Sequence, residues 1–133
     1  MSHLQGRWAV AKEENLDALF AASKVDSALR EKSKEGLIKP EQEIVVNGDD
    51  YALTTHVGHI STTVRFKLNV TFPASSLDGR KNMTTFSLEG DKLVERQKYD
   101  DFEAVVSREL QGTQLVATIE SNGVVAKVTY NKV

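Results

Sequence analysis

The chain has 133 residues, 40% of them hydrophobic, enough for one domain over 1–133 to bury a sizeable core. With 17 basic and 19 acidic side chains the net charge is -2, which excludes a global field drawing in nucleic acid or a membrane. Cysteine is absent, so disulfides and thiolate metal sites are excluded too, as suits a reducing compartment.

The start, Met1-Ser2-His3-Leu4-Gln5-Gly6, lacks the basic-then-apolar pattern of a secretory signal, and no apolar run approaches membrane-spanning length. The expected location is cytoplasmic. The sequons Asn69-Val70-Thr71 and Asn82-Met83-Thr84 would matter only in a secreted chain and are read as chance.

Gly6-Arg7-Trp8-Ala9-Val10 begins a predicted strand, with Trp8 and Val10 on one face. A helix should follow, with Asn15 as candidate N-cap and Leu16, Leu19 and Phe20 recurring at helical spacing in a narrow apolar stripe. A second short helix is predicted over 26–34, where Asp26 can cap and Val25 and Leu29 supply apolar contacts. Lys24, Arg30, Lys32 and Lys34 make this region basic against Asp26 and Glu31. That is either a solvated face or a guide toward anionic lipid head groups.

From Pro40 onward the chain reads as strand after strand, with turn signals at the spacing of an antiparallel meander. Asn47-Gly48-Asp49-Asp50 joins 43–46 to 51–55, Gly58-His59 precedes 61–68, and Leu77-Asp78-Gly79-Arg80 precedes 83–89. Gly90-Asp91 joins that segment to 93–98, and Tyr99-Asp100-Asp101 leads into the last three strands. The total is about ten strands, too many to leave flat with open edges, so closure into a barrel or clam is predicted, with the early helices over one open end. The interior of such a barrel can hold a small ligand.

The last three strands carry the most telling pattern. At period 2, Phe102, Ala104, Val106, Arg108 and Leu110 share a face, so a charged residue points with an apolar set. Gln111-Gly112-Thr113 and Asn122-Gly123 mark hairpins, the second because both central residues of such a tight turn need positive φ. Leu115, Ala117 and Ile119 then form the next apolar face, and Val124, Ala126, Val128 and Tyr130 the last. Two-residue loops would set Arg108 opposite Ala117, Ala117 opposite Val128, and Leu115 opposite Tyr130. This surface is apolar except for a guanidinium and a phenol. Arg108 can reach a rim, pair with a buried acid, or face a cavity whose ligand carries an anion.

These residues also carry a resemblance. Gly6-Arg7-Trp8 followed by two short helices, Asn47-Gly48-Asp49, the segment 62–66, Asp78-Gly79-Arg80-Lys81, Gln97-Lys98-Tyr99-Asp100, Arg108-Glu109-Leu110 and Tyr130-Asn131-Lys132-Val133 resemble the intracellular lipid-binding proteins, most of all the fatty-acid-binding ones. The resemblance covers essentially the whole chain. It implies an all-β fold, a ten-stranded antiparallel β-barrel (β-clam) with an N-terminal helix-turn-helix lid and an internal, partly hydrated lipid cavity.

It also implies a monomeric, non-enzymatic carrier without cofactor, which binds a long-chain fatty acid or related lipid and transiently contacts anionic membranes. Family members commonly hold the ligand carboxylate with an arginine on the third strand from the end and an Arg-x-Tyr motif on the last. Arg108 and Tyr130 match two of those three groups, and Val128 stands at the other arginine position. Gln42 falls near Arg108 by the same alignment, and Lys24, Arg30, Lys32 and Lys34 fall on the lid. Leu16, Phe20, Leu29, Ile38, Thr55, His59, Leu77, Asp78, Val106, Ala117, Ile119 and Val128 match cavity or portal positions. Retinoid and bile-acid binders share the fold, so fold alone does not choose the ligand.

Competing classes find little support. His56-x-x-His59 hints at a metal site, but the pair falls at a strand end and no other His or Cys is near in sequence. No nucleophile elbow, phosphate loop or dinucleotide fingerprint is present, and Asp78 and Arg80 read as turn residues. A secreted lipocalin-like carrier also opens with Gly-x-Trp, but places its helix late. A nucleic-acid-binding barrel would interleave basic and aromatic residues on its surface.

Overall fold

The alternation of apolar and polar residues resolves into ten strands in a computed structural model, which describes residues 4–15, 18–19, 41–57, 60–75 and 80–133. They are β1 (Gly6–Glu14), β2 (Glu41–Asn47), β3 (Asp50–Val57), β4 (Ile60–Phe66), β5 (Phe72–Ser75), β6 (Lys81–Glu89), β7 (Lys92–Lys98), β8 (Glu103–Gln111), β9 (Gln114–Ser121) and β10 (Val124–Lys132). Antiparallel pairing runs in the order β4-β3-β2-β1-β10-β9-β8-β7-β6-β5, so β1 meets β10 and the two ends of the chain are tied into one sheet. Alternate residues turn inward: on β10, Ala126, Val128 and Tyr130 are buried while Val125 and Lys127 are exposed.

The register over the last three strands is the expected one. Arg108 pairs with Ala117, Ala117 with Val128, and Leu115 with Tyr130. It is set by the β9–β10 turn, where Asn122 and Gly123 take φ values of 51° and 80°, the left-handed conformations a two-residue hairpin of this type demands. One residue of slip would carry the whole apolar set to the solvent face.

The sheet curls into a nearly closed barrel, leaving β4 and β5 as its edges, with no ladder between them among the described residues. The join is aromatic. The Phe66 and Phe86 rings stack at 3.7 Å between centroids, Tyr51 extends the stack from β3 at 5.3 Å, and Phe72 of β5 lies 6.2 Å from Phe86. Phe86 and Phe66 are buried, and the Asn69 amide donates to the Phe86 carbonyl at 2.7 Å. Stacking of this kind contributes about 0.5–1.5 kcal/mol per pair beyond the area it buries. Next to it lies the deepest part of the core, with Leu4, Trp8, Ile44, Leu93 and Leu115 almost inaccessible. Trp8 Nε1 donates to the Leu4 carbonyl at 3.1 Å, which satisfies the indole inside apolar surroundings.

Three expectations are corrected. The strand expected over 61–68 stops at Phe66, because Leu68 and Asn69 turn and Asn69 takes a φ of 64°. The sequence reading places no strand at Phe72–Ser75, since Pro73 weakens the signal; β5 is an edge strand, where a missing N–H is tolerated. Asn15 does begin a helical turn, its carbonyl accepting the Leu19 amide at 3.2 Å. Its own φ of 63°, however, is left-handed, and its side-chain amide donates to the Val125 carbonyl at 2.9 Å, fastening the turn to β10. Beyond Ala18 and Leu19, the predicted helix pair lies outside the described residues.

Candidate functional site

Arg108 enters the barrel from β8 between the inward residues Val106 and Leu110, and its neighbour across the ladder is the small Ala117, which leaves room for a guanidinium. The side chain is 5% exposed. A charge in such a place requires partners. Its Nη1 donates to Glu95 Oε1 at 2.8 Å, and the Glu95 side chain is 10% exposed. Its Nε donates to Gln42 Oε1 at 3.2 Å, reaching across the interior to β2.

Glu95 is held from its other side as well. Gln97, the next inward residue of β7, donates through Nε2 to Glu95 Oε2, and the Tyr99 hydroxyl donates to Gln97 Oε1 at 3.0 Å. The result is a polar line from Tyr99 through Gln97, Glu95 and Arg108 to Gln42, strung across the otherwise mostly apolar interior of the barrel. At its outer end the Tyr99 and Phe102 rings stack at 4.4 Å, and the Arg80 guanidinium carbon lies 5.3 and 5.4 Å from their centroids. On β6, Thr84 faces Gln97 across the ladder and donates to Asn82; both are buried.

Tyr130 is buried on the inner face of β10, opposite Leu115. Burial pushes its phenol above the usual range, because the phenolate would lose hydration. The positive charge of Arg108 pulls the other way, and Glu13 adds a smaller upward push. Val128, at the position where the resemblance expects a second arginine, is buried against Ala117.

In the structure Arg108 pairs with a buried acid, one of the three destinations considered for it. On β8, β9 and β10, the surface expected to be apolar but for a guanidinium and a phenol, the buried Ser121 at the end of β9 is a further polar group. Beyond those strands β7 contributes Glu95 and Gln97 and β2 contributes Gln42. The pairing has a geometric origin. Leu93 lies directly opposite Arg108, so Glu95 is its diagonal neighbour on the same face. Counting the register back through the Tyr99 turn would have exposed it, since Leu93, Glu95 and Gln97 share one parity.

Val106, Ala117 and Val128 are buried, Ile119 is half-buried, and Thr55 follows Tyr51 and Leu53 on the inner parity of β3. Leu16, Phe20, Leu29, Ile38, His59, Leu77 and Asp78 lie outside the described residues, as do Lys24, Arg30, Lys32 and Lys34. His56 Nδ1 is hydrogen-bonded at 2.7 Å to Ser61 Oγ on the next strand, and His59 lies outside the described residues. Among the described residues no helix is long and apolar enough to cross a membrane.

This arrangement can hold a hydrophobic chain against the apolar strands and a polar head group against Arg108 and Tyr130. Known proteins resemble the chain in sequence and in fold. "Fatty acid-binding protein homolog 5" of Caenorhabditis elegans is 32% identical over 132 residues, spanning 94% of this chain and 93% of its own. "Fatty acid-binding protein 5" of Pygoscelis papua is 30% identical over 128 residues, spanning 96% of this chain and 94% of its own. Among solved structures, the "REP1-NXSQ fatty acid transporter" superposes with a TM-score of 0.92 at 27% identity, over 100% of this chain and 98% of that one. No protein-family profile matches the chain.

Proposed function

This chain belongs to the fatty-acid-binding family of intracellular lipid-binding proteins, and on that footing we propose that it carries one long-chain lipid per molecule, acyl chain in the barrel and head group at Arg108, Tyr130 and Gln42. The observation that carries the reading is the buried polar line itself: a guanidinium 4% exposed at residue level, set inside a barrel whose other inward side chains are mostly apolar. A structural core would gain nothing from it, because buried ion pairs are seldom more stabilising than apolar residues of the same volume. A cavity that must orient the polar end of a lipid gains a fixed hydrogen-bonding partner.

Burial of an acyl chain is worth roughly 0.8 kcal/mol per methylene, so most of the affinity comes from the apolar wall and the polar end sets orientation and choice. The protein works as a monomer in the cytoplasm and releases its cargo to membranes, the basic residues Lys24, Arg30, Lys32 and Lys34 attracting anionic surfaces. It turns over no substrate. Titration with a fluorescent long-chain lipid should saturate near one per chain, and natural long-chain lipids should displace it. Saturation far from one, or failure of every lipid to compete, would overturn the carrier reading.

A further inference from the structure

The polar end of the cavity is already charge-balanced before any ligand arrives. Glu95 Oε1 accepts from Arg108 Nη1 at 2.8 Å and Oε2 accepts from Gln97, so both carboxylate oxygens are held and the group cannot turn aside without losing both bonds. Arg108 Nε is committed to Gln42. What remains on offer among the described residues is Nη2 of Arg108, for which they supply no acceptor, the side-chain amide nitrogen of Gln42, whose oxygen alone is taken, and the buried hydroxyl of Tyr130 on the inner face of β10. All are donors.

We propose that Glu95 is a specificity-determining residue that makes this subsite select lipids with an uncharged, hydrogen-bond-accepting head group, such as a glyceride ester or an alcohol, over ionised fatty acids. The inference rests on the carrier reading above and names the head group that carrier prefers. A neutral carbonyl or hydroxyl oxygen can accept from Nη2 and Tyr130 without disturbing the ion pair. A fatty carboxylate cannot. It would place a second anion beside one guanidinium, leaving a net charge of minus one in a site largely removed from water, and like charges in such a place cannot both stay ionised. The discriminating element is the unfavourable charge that Glu95 sets against the wrong ligand.

A fatty acid therefore enters with a proton. The proton bridges its carboxyl and that of Glu95, one O–H donating to the other oxygen, and neutrality is restored with no bond broken elsewhere. Among the described residues the groups able to answer the extra charge are few. The inner parity of β8 offers Arg108, β10 offers Tyr130, and β7 itself offers Gln97 and Tyr99. From β6, Thr84 and Phe86 face the site, from β9 Ala117, and from β2 Gln42, none of which titrates.

The test uses the full chain, an uncharged alkyl-chain fluorescent probe, and two competitors of equal acyl length, oleic acid and 1-oleoylglycerol, at pH 6, 7 and 8. Wild type should bind the glyceride at least tenfold more tightly than the acid at pH 8. Its affinity for the acid should fall toward tenfold per pH unit while that for the glyceride stays level. Calorimetry of oleic acid binding in two buffers of different ionisation enthalpy should count about one proton taken up per acid bound. Glu95→Gln should abolish that uptake, flatten the pH dependence, and move the acid-to-glyceride affinity ratio at pH 8 at least tenfold toward the acid. Acid binding in wild type that is level with pH and takes up no proton overturns the proposal even if the variant does not fold. If neither lipid displaces the probe, the carrier reading itself fails; if the acid wins at every pH, only the preference does.

Discussion

Replacing Arg108 by leucine removes the cation and leaves Glu95 as a buried carboxylate with its Gln97 contact alone. Both side chains are at most 10% exposed, so solvent screens the pair little. Breaking a buried pair from one side costs about 3–5 kcal/mol, and the surviving Gln97 bond argues for the lower half of that range. For the lipid-free protein, with a urea slope of about 2 kcal/mol per molar, the midpoint should fall by about 2 M with the slope unchanged. Replacing both residues, Arg108→Leu with Glu95→Leu, removes the charge problem entirely. Gln42 and Gln97 then lose partners at about 1 kcal/mol each, while apolar packing gives back a similar amount, so the double variant should lie within about 1–2 kcal/mol of wild type. The two changes should be strongly non-additive in a double-mutant cycle. An Arg108→Leu protein as stable as wild type, or single losses that simply sum, would show that the pair is not what makes the buried charge tolerable.

Phe86→Ala should be among the most destabilising single changes, at about 3–5 kcal/mol by urea denaturation, because it deletes a fully buried ring and the centre of the stack between Phe66 and Phe72. Tyr130 holds its proton more tightly folded than unfolded, so its contribution is complete below the ordinary phenol range of about pH 10 and is lost as pH rises beyond it. Wild type should therefore lose more stability than Tyr130→Phe between pH 8 and pH 11, followed by urea midpoints. Charge reversal at Arg30 and Lys32 should slow lipid transfer to anionic vesicles, measured by stopped-flow quenching, and the difference should shrink as salt is raised.

The strands were legible because alternation with period 2 and turn residues with positive φ are local signals, and the run from Phe102 to Lys132 carries both. Arg108 stood out on the same grounds, as a charge on the inward parity. Its partner did not, because Glu95 belongs to a strand where charged and apolar residues fall on both parities: Val94 and Arg96 on one, Leu93 and Glu95 on the other. That pairing is a property of register between strands, which opens only once the Tyr99–Phe102 turn is counted. The Gln42 contact joins residues 66 apart in sequence across the barrel, and only closure of the sheet brings them together. β5 escaped notice for a different reason: at four residues with a proline, it is a strand by virtue of its neighbour β6.

The aromatic join between β4 and β5 bears on how such a sheet survives in a crowded solution. Two unpaired strand edges are the parts of a β-protein most apt to recruit another chain, each offering a row of open amides and carbonyls. Here they belong to the same molecule and face a common seam, held by rings whose attraction tolerates sliding and tilting far better than a hydrogen bond does. Loosening that seam breaks no ladder, so the barrel wall can widen there while its nine paired joins stay whole. Losing the rings would cost the fold their burial and would also turn two guarded edges into two templates for another chain.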